Sequence, residues 1–325
     1  MARIPAPLRA TILALALFAA PVAAARTAPP SEPQATTARI LLVAGAPSHG
    51  YGAHEFEAGM ELLAADLRRS GLPVEVELVT NRWPSRTQLA RADALVLFAD
   101  GGAAHPALDH LEELDSRIAS GMGLMWMHYA LEVPHGPASE RARRWLGGYY
   151  EDGWSTNPHW RAETRLHESH PITRGVAPFA VFDEWYFNIR FADDGAPLEE
   201  ILTATPDAAA RAGATAWPRG PHAHIEAAAG QRETLMWATE RPDGGRAVGF
   251  TGGHFHWNWA NSDYRRLLLN AIVWVAGTEV PAEGVRTPPR TVDDLLTLAP
   301  ATLTKRLDRW FLFDEDEARR QARDR

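Results

Sequence analysis

RILLVAGAPSHGYGAHEF (residues 39–56) is the stretch on which the fold turns. Its first six residues are a short apolar run of the buried-strand type. After them Phe56, Met60, Leu63 and Leu67 recur at helical spacing. A strand, a glycine-rich turn and a helix make one unit of an α/β protein. Between the two elements stand His49, His54 and Glu55, with glycines at 50 and 52 that permit left-handed backbone. A polar turn in water explains them. So does a binding site, because α/β proteins gather ligands at the carboxyl ends of their strands.

Working outward, PVEVELV (73–79) alternates with period two and predicts a half-buried strand. ALVLFA (94–99) predicts a third strand, ending at Asp100-Gly101-Gly102, and residues 106–120 a helix. GLMWMH (123–128) reads as a fourth strand and RAVGFTGGH (246–254) as a late buried one. SDYRRLLLNAIVWVAG (262–277) reads as a helix with Ser262 at its N-cap and Gly277 beyond its end. This alternation predicts a parallel sheet with helices on both faces. Residues 150–235 are less regular and read as an elaborated insert or lid within one domain. Past Gly277 the chain turns proline-rich, then runs into a charged tail, LFDEDEARRQARDR, that reads as a solvated appendage.

The first 25 residues read as a secretory signal peptide, with Arg3 and Arg9 before an apolar core and Ala23–Ala25 as the cleavage site. The apolar run is shorter than the roughly 20 residues a membrane span needs. The expected segments are therefore signal peptide 1–25, a Pro/Ser/Thr-rich leader 26–37, a domain 38–285 and an extension 286–325, in a periplasmic or secreted protein. The 325 residues contain no cysteine, which removes both disulfides and thiol nucleophiles. A net charge of −8 without a Lys/Arg block argues against nucleic acid.

The 13 histidines fall between residues 49 and 256, several at predicted strand ends. These are His49, His54, His105, His128, His254 and His256. Any one of them reads most simply as structural, but adjacent parallel strands end on one edge, so several could share a crevice. In extended chain His254 and His256 would point the same way. With Glu55, Glu132 or the Asp183-Glu184 pair, such a set suits zinc, manganese or iron, although no H-E-x-x-H spacing is present. His128 stands where a strand gives way abruptly to a loop, the elbow position of a nucleophile. Trp126 reads as core. Trp154, Trp160, Trp185, Tyr186, Trp257 and Trp259 lie in or near polar loops that could stack on a sugar, with Asp183, Glu184, Asn157 and Asn258 as hydroxyl partners.

APSHGYGAHEFEAGMELLA, DGGAAHP, GMGLMWMHYALEVPHG, NPHW, HPITRGV, DEWYFNIRF and GFTGGHFHWNW stand in this order over roughly residues 38–285. Together they resemble the ThuA-like (trehalose-utilisation) family. The resemblance implies a flavodoxin-like, class I glutamine amidotransferase-like fold with a histidine, here His128, at the elbow where amidotransferases carry cysteine. It implies that His49, His54, His128, Asp183-Glu184-Tyr186 and His254 line the pocket. It also implies a role in sugar catabolism, including routes through 3-keto-glycosides. On this reading His128 is a general base and Glu184 an acid or metal ligand. Trp185, Tyr186, Trp257, Asn258 and His159 bind substrate, and His49, His54, His254 and His256 hold a divalent metal or an oxyanion. The competing expectation is a non-catalytic carbohydrate-binding or sensing protein on a retired amidotransferase fold.

Overall fold

The apolar runs of the N-terminal half condense into alternating strands and helices. They are β1 (Ala38–Ala44), α1 (Phe56–Arg69), β2 (Val74–Thr80), α2 (Arg86–Arg91), β3 (Ala94–Phe98), α3 (Leu111–Ala119), β4 (Gly123–Met127) and α4 (Pro137–Leu146). There follow β5 (Gly148–Tyr149), β6 (His159–Glu163), β7 (Arg165–Leu166), β8 (Ala180–Glu184), β9 (Arg190–Phe191) and β10 (Leu198–Ala204). Two short helices, α5 (Ala208–Arg211) and α6 (Ala223–Ala227), lead to β11 (Glu233–Glu240), β12 (Arg246–Phe250), α7 (Ser262–Val275) and α8 (Val292–Leu298). This computed structural model describes Met1 and residues 36–298, apart from 194–196, 218–219 and 221. The predicted signal peptide, most of the leader and the charged tail lie outside the described residues.

Strands β2-β1-β3-β4-β12 are hydrogen-bonded in that order and all run parallel. That is the 2-1-3-4-5 order of flavodoxin-like sheets. The sheet does not stop there. β11, β10 and β7 continue it antiparallel, so the eight-stranded sheet is mixed rather than parallel throughout. The reason is local: the turn between β11 and β12, Pro242-Asp243-Gly244-Gly245, folds the chain straight back, with Arg241 N–H on the Gly245 carbonyl. A tight hairpin can only join antiparallel neighbours. Residues 150–235, read as an insert within one domain, contribute β7 and β10 to this sheet.

Alternate residues of β1, β3 and β4 supply two cores. Ile40, Leu42, Val96, Phe98, Met125 and Met127 face α1 and α7, while Leu41, Val43, Leu95, Leu97, Leu124 and Trp126 face α3 and α4. Each fully buried aliphatic contributes on the order of 1.5–3 kcal/mol. The segment after α7 packs as well. Val285 N–H donates to the Asn270 side chain, whose amide donates to the carbonyls of Ile172 and Arg174. Arg265, wholly buried, bridges the carbonyls of Trp259 and Pro288, and Arg290 reaches the buried Asp66 at 2.5 Å. Residues 285–295 therefore dock on the domain, with Val292 and Leu295 buried.

Candidate metal centre

The parallel strands deliver their histidines to one edge. His128 follows β4 directly and His254 follows β12, while the loop after β1 carries His54. That loop is laced to the 253–256 loop: His54 N–H donates to the His254 carbonyl, His256 N–H to the Gly52 carbonyl, and Ala53 bridges Phe255. His54 and His128 both adopt left-handed backbone, φ 50° and 54°. For histidine this conformation is strained, and such strain clusters at functional sites. Gly101 clears the space beside the elbow, since a Cβ there would lie 2.1 Å from the Tyr129 carbonyl oxygen.

Four buried atoms converge. His54 Nε2 lies 3.0 Å from His128 Nε2 and 2.9 Å from His254 Nδ1. Glu184 Oε2 lies 2.8 Å from His254 Nδ1, 3.2 Å from His128 Nε2 and 3.9 Å from His54 Nε2. Glu184 comes from the end of β8, which pairs with β6 so that Glu184 stands opposite His159. Its Oε1 accepts from the Asn157 amide at 3.1 Å, with His159 Nε2 at 3.7 Å.

Proton counting shows what this set lacks. The Thr251 carbonyl, 2.8 Å from His128 Nδ1, can only accept, so His128 carries its proton on Nδ1 and turns the Nε2 lone pair inward. His54 and His254 can each turn at most one proton inward as neutral imidazoles. Four contacts between 2.8 and 3.2 Å then share two protons, so at most two are hydrogen bonds and the others set donor against donor or lone pair against lone pair. A cation at the centre would accept all four lone pairs. A tetrahedron of ligands ~2.05 Å from zinc has edges of about 3.3 Å, within the spread seen here.

The electrostatics favour neutral His54 and His254 beside a charged Glu184. Burial lowers His54 and takes His254 down to about 4, against the opposing pull of Glu184. Burial alone would push the Glu184 carboxyl up, but the field of His254 and the imidazoles around it hold it well below the usual carboxylate range. Tyr186, wholly buried and stacked on His128 with ring centroids 4.5 Å apart, is held protonated by burial and by Glu184. Its hydroxyl lies 3.4 Å from His128 Nε2.

Behind the cluster, Asp183 does what its neighbour cannot. The two side chains leave β8 in opposite directions, and the Asp183 carboxylate accepts from the amides of Gly253, Glu184 and Phe255 and from the Tyr264 hydroxyl. This anchors the loop that bears His254. At the outer side, Asp100 Oδ1 lies 3.9 Å from His54 Nδ1 and accepts from Ser48 Oγ at 2.6 Å.

Several expectations need correcting. His49 stands outside the inner four, although with His54 and Asp100 it forms a second set of possible metal ligands; its ring lies against His54, centroids 3.6 Å apart, and its Nδ1 contacts Ser48 Oγ. His256 is not there either. A 3-10 turn begins at His256, so the period-two rule fails and the side chain leaves on the far side of the loop. His105 is structural, bonded to the Ala130 carbonyl and the Ala107 amide. Trp185 is wholly buried with its N–H on the Val181 carbonyl, and Trp257 is buried against Phe255. The Asn258 amide is bound to the Phe182 carbonyl. Those three are packing residues rather than a sugar platform.

Glu132 gains weight instead. Its carboxyl and the Tyr129 hydroxyl converge over Gly102, and Tyr129 lies beside His54, ring centroids 5.7 Å apart. Burial, then the charges of Asp152 and Glu184, push the Glu132 carboxyl up to about 7. An acid with a raised folded pKa makes the unfolded state the better acid, so its ionisation costs stability as pH climbs from about 4.5 to about 7. In urea titrations Glu132→Gln is expected to gain stability over the parent above pH 7 and to match it below about pH 4.5. A parallel pair of curves would show that Glu132 ionises normally.

A family model described as trehalose utilisation matches residues 39–275. The chain belongs to the ThuA family. The fold of this ThuA chain is similar to two solved bacterial proteins described as ThuA-like. The protein from Bacteroides uniformis is 14% identical with a TM-score of 0.55, over 78% of this chain and 97% of that one. The protein from Parabacteroides merdae is 16% identical with a TM-score of 0.52, over 79% and 96%. No curated protein matches the sequence. Among the described residues no helix is long and apolar enough to cross a membrane.

Proposed function

We propose that this ThuA protein is a metal-assisted acid–base enzyme of carbohydrate catabolism, acting on a sugar or 3-keto-glycoside in the periplasm or outside the cell. The observation that carries the reading is the convergence of His54, His128, His254 and Glu184 with too few protons to satisfy them. A divalent zinc, manganese or iron held there would polarise a substrate carbonyl and acidify the neighbouring C–H.

The chain's own residues supply the rest. With the Nε2 lone pair of His128 committed to the centre, proton transfer falls to Glu132, whose carboxyl is raised toward the working range of a general acid–base. Tyr129, held protonated by burial, is a donor beside it. Asn157 fixes Glu184 with its amide and accepts the Trp217 backbone N–H with its carbonyl oxygen. Trp217 is 78% exposed, and its flat face suits a sugar ring better than the packed Trp185 and Trp257. The titratable cluster, where sugar binding alone needs only hydroxyl partners, favours catalysis over a binding module.

The test is proton exchange at C2 of the 3-keto derivative of trehalose in D2O, followed by proton NMR. The reading expects exchange that chelation abolishes and that Glu132→Gln slows roughly 10²-fold with metal content unchanged. Absence of both exchange and turnover in metal-loaded protein would sink it.

A further inference from the structure

On the far side of the 252–256 loop a cavity of about 320 Å³ opens between α1, β2 and the docked C-terminal segment. Among the described residues, two polar groups on its lining have no hydrogen-bond partner: His256 Nδ1, in a side chain only 3% exposed, and Arg290 Nε. Buried polar atoms are almost always satisfied, so two orphans on one cavity call for a ligand that meets both. The charge of Arg290 is already matched by Asp66, which leaves its Nε–H as a spare donor rather than a spare charge. Arg68 and Arg69 stand at the rim with Glu61, a net positive lining, while Leu295 and leucines of α1 and β2 form an apolar wall.

We propose that this cavity binds a small amphiphilic anion, a carboxylate or phosphate head on an apolar body. The head would accept from Arg290 Nε–H and from His256, and the body would lie along the leucines. The volume exceeds what a bare phosphate fills and lies at the low end of small-molecule sites, roughly 300–1,000 Å³. The site is separate from the metal centre and independent of the reading given to it. It backs onto the same ladder, because the His256 amide is bound to the Gly52 carbonyl two residues before His54.

Isothermal titration of the full chain with phenyl phosphate, benzoate and uncharged benzyl alcohol tests this. Expected is binding of one or both anions but not the alcohol. His256→Leu, which breaks no side-chain hydrogen bond, and Arg290→Lys, which keeps a charge for Asp66, should each weaken it roughly tenfold or more. Leu295→Trp should fill the cavity and abolish binding, and Glu184→Gln should leave it unchanged. The proposal is overturned by no heat up to about 10 mM of either anion. Equal binding of benzyl alcohol overturns it too, as does affinity that follows Glu184 instead of His256.

Discussion

Protein stripped of metal and reloaded with zinc, manganese or iron is expected to take up about one equivalent per chain, and His254→Ala to take up none. The cluster supplies three imidazoles and one carboxylate, all buried. Three of the four ligands are fixed from outside: His128 by the Thr251 carbonyl, Glu184 by Asn157, His254 by the loop that Asp183 holds. Losing an inner ligand should therefore cost more than the ~10–100-fold that outer partners contribute to metal affinity. Glu184→Gln is the sharper variant, since it keeps shape and removes the only negative charge among the four inner ligands. Its affinity should fall at least as far as that of His254→Ala. Metal at ~1,000 times its dissociation constant should stabilise the parent by about 4 kcal/mol and raise its melting temperature. Parent and His254→Ala melting together with and without metal would mean that the four atoms are a hydrogen-bonded knot and nothing more.

The second large effect is expected at Asp183. Its carboxylate is wholly buried and takes four donors, three of them backbone amides. Hydrogen bonds to a charged group contribute roughly 1.5–3 kcal/mol each, and stranded donors add their own penalty. Asp183→Asn sets an amide N–H against other N–H groups and should lose about 4 kcal/mol of stability. Tyr264→Phe removes only one of the four donors and should lose about 1–2 kcal/mol. Denaturant midpoints measure both, with unchanged slopes if the unfolded state is unaffected. Because Gly253 and Phe255 flank His254, Asp183→Asn should also loosen metal binding with every inner ligand intact. A loss under about 1 kcal/mol would show that the loop is held by its ladder to residues 52–54 alone.

The central elements were legible because their signals are local. β3 and β4 are short apolar runs, α1 has its apolar residues at helical spacing, and alternation of the two implies parallel strands. The antiparallel half was harder. β11 is buried on both faces and shows no period, although Pro242-Asp243-Gly244-Gly245 is a hairpin signal that the chain does contain. His54, His128 and His254 were legible as strand-end residues, since strand order alone brings such positions to one edge.

What the sequence by itself determined is the doubly covered parallel core, the ThuA family and the edge at which the histidines gather. Tertiary structure decided which of them meet. His49 and His256 are as near in sequence to the cluster as its members, yet one lies outside it and the other faces another cavity. The 3-10 turn at His256 and the left-handed backbone at His54 and His128 set those directions. Glu184 arrives from β8, outside the main sheet, through a pairing 130 residues away from His54 in the chain. Such choices rest on long-range packing, where one residue of register reverses a side chain, and local periodicity carries no record of that.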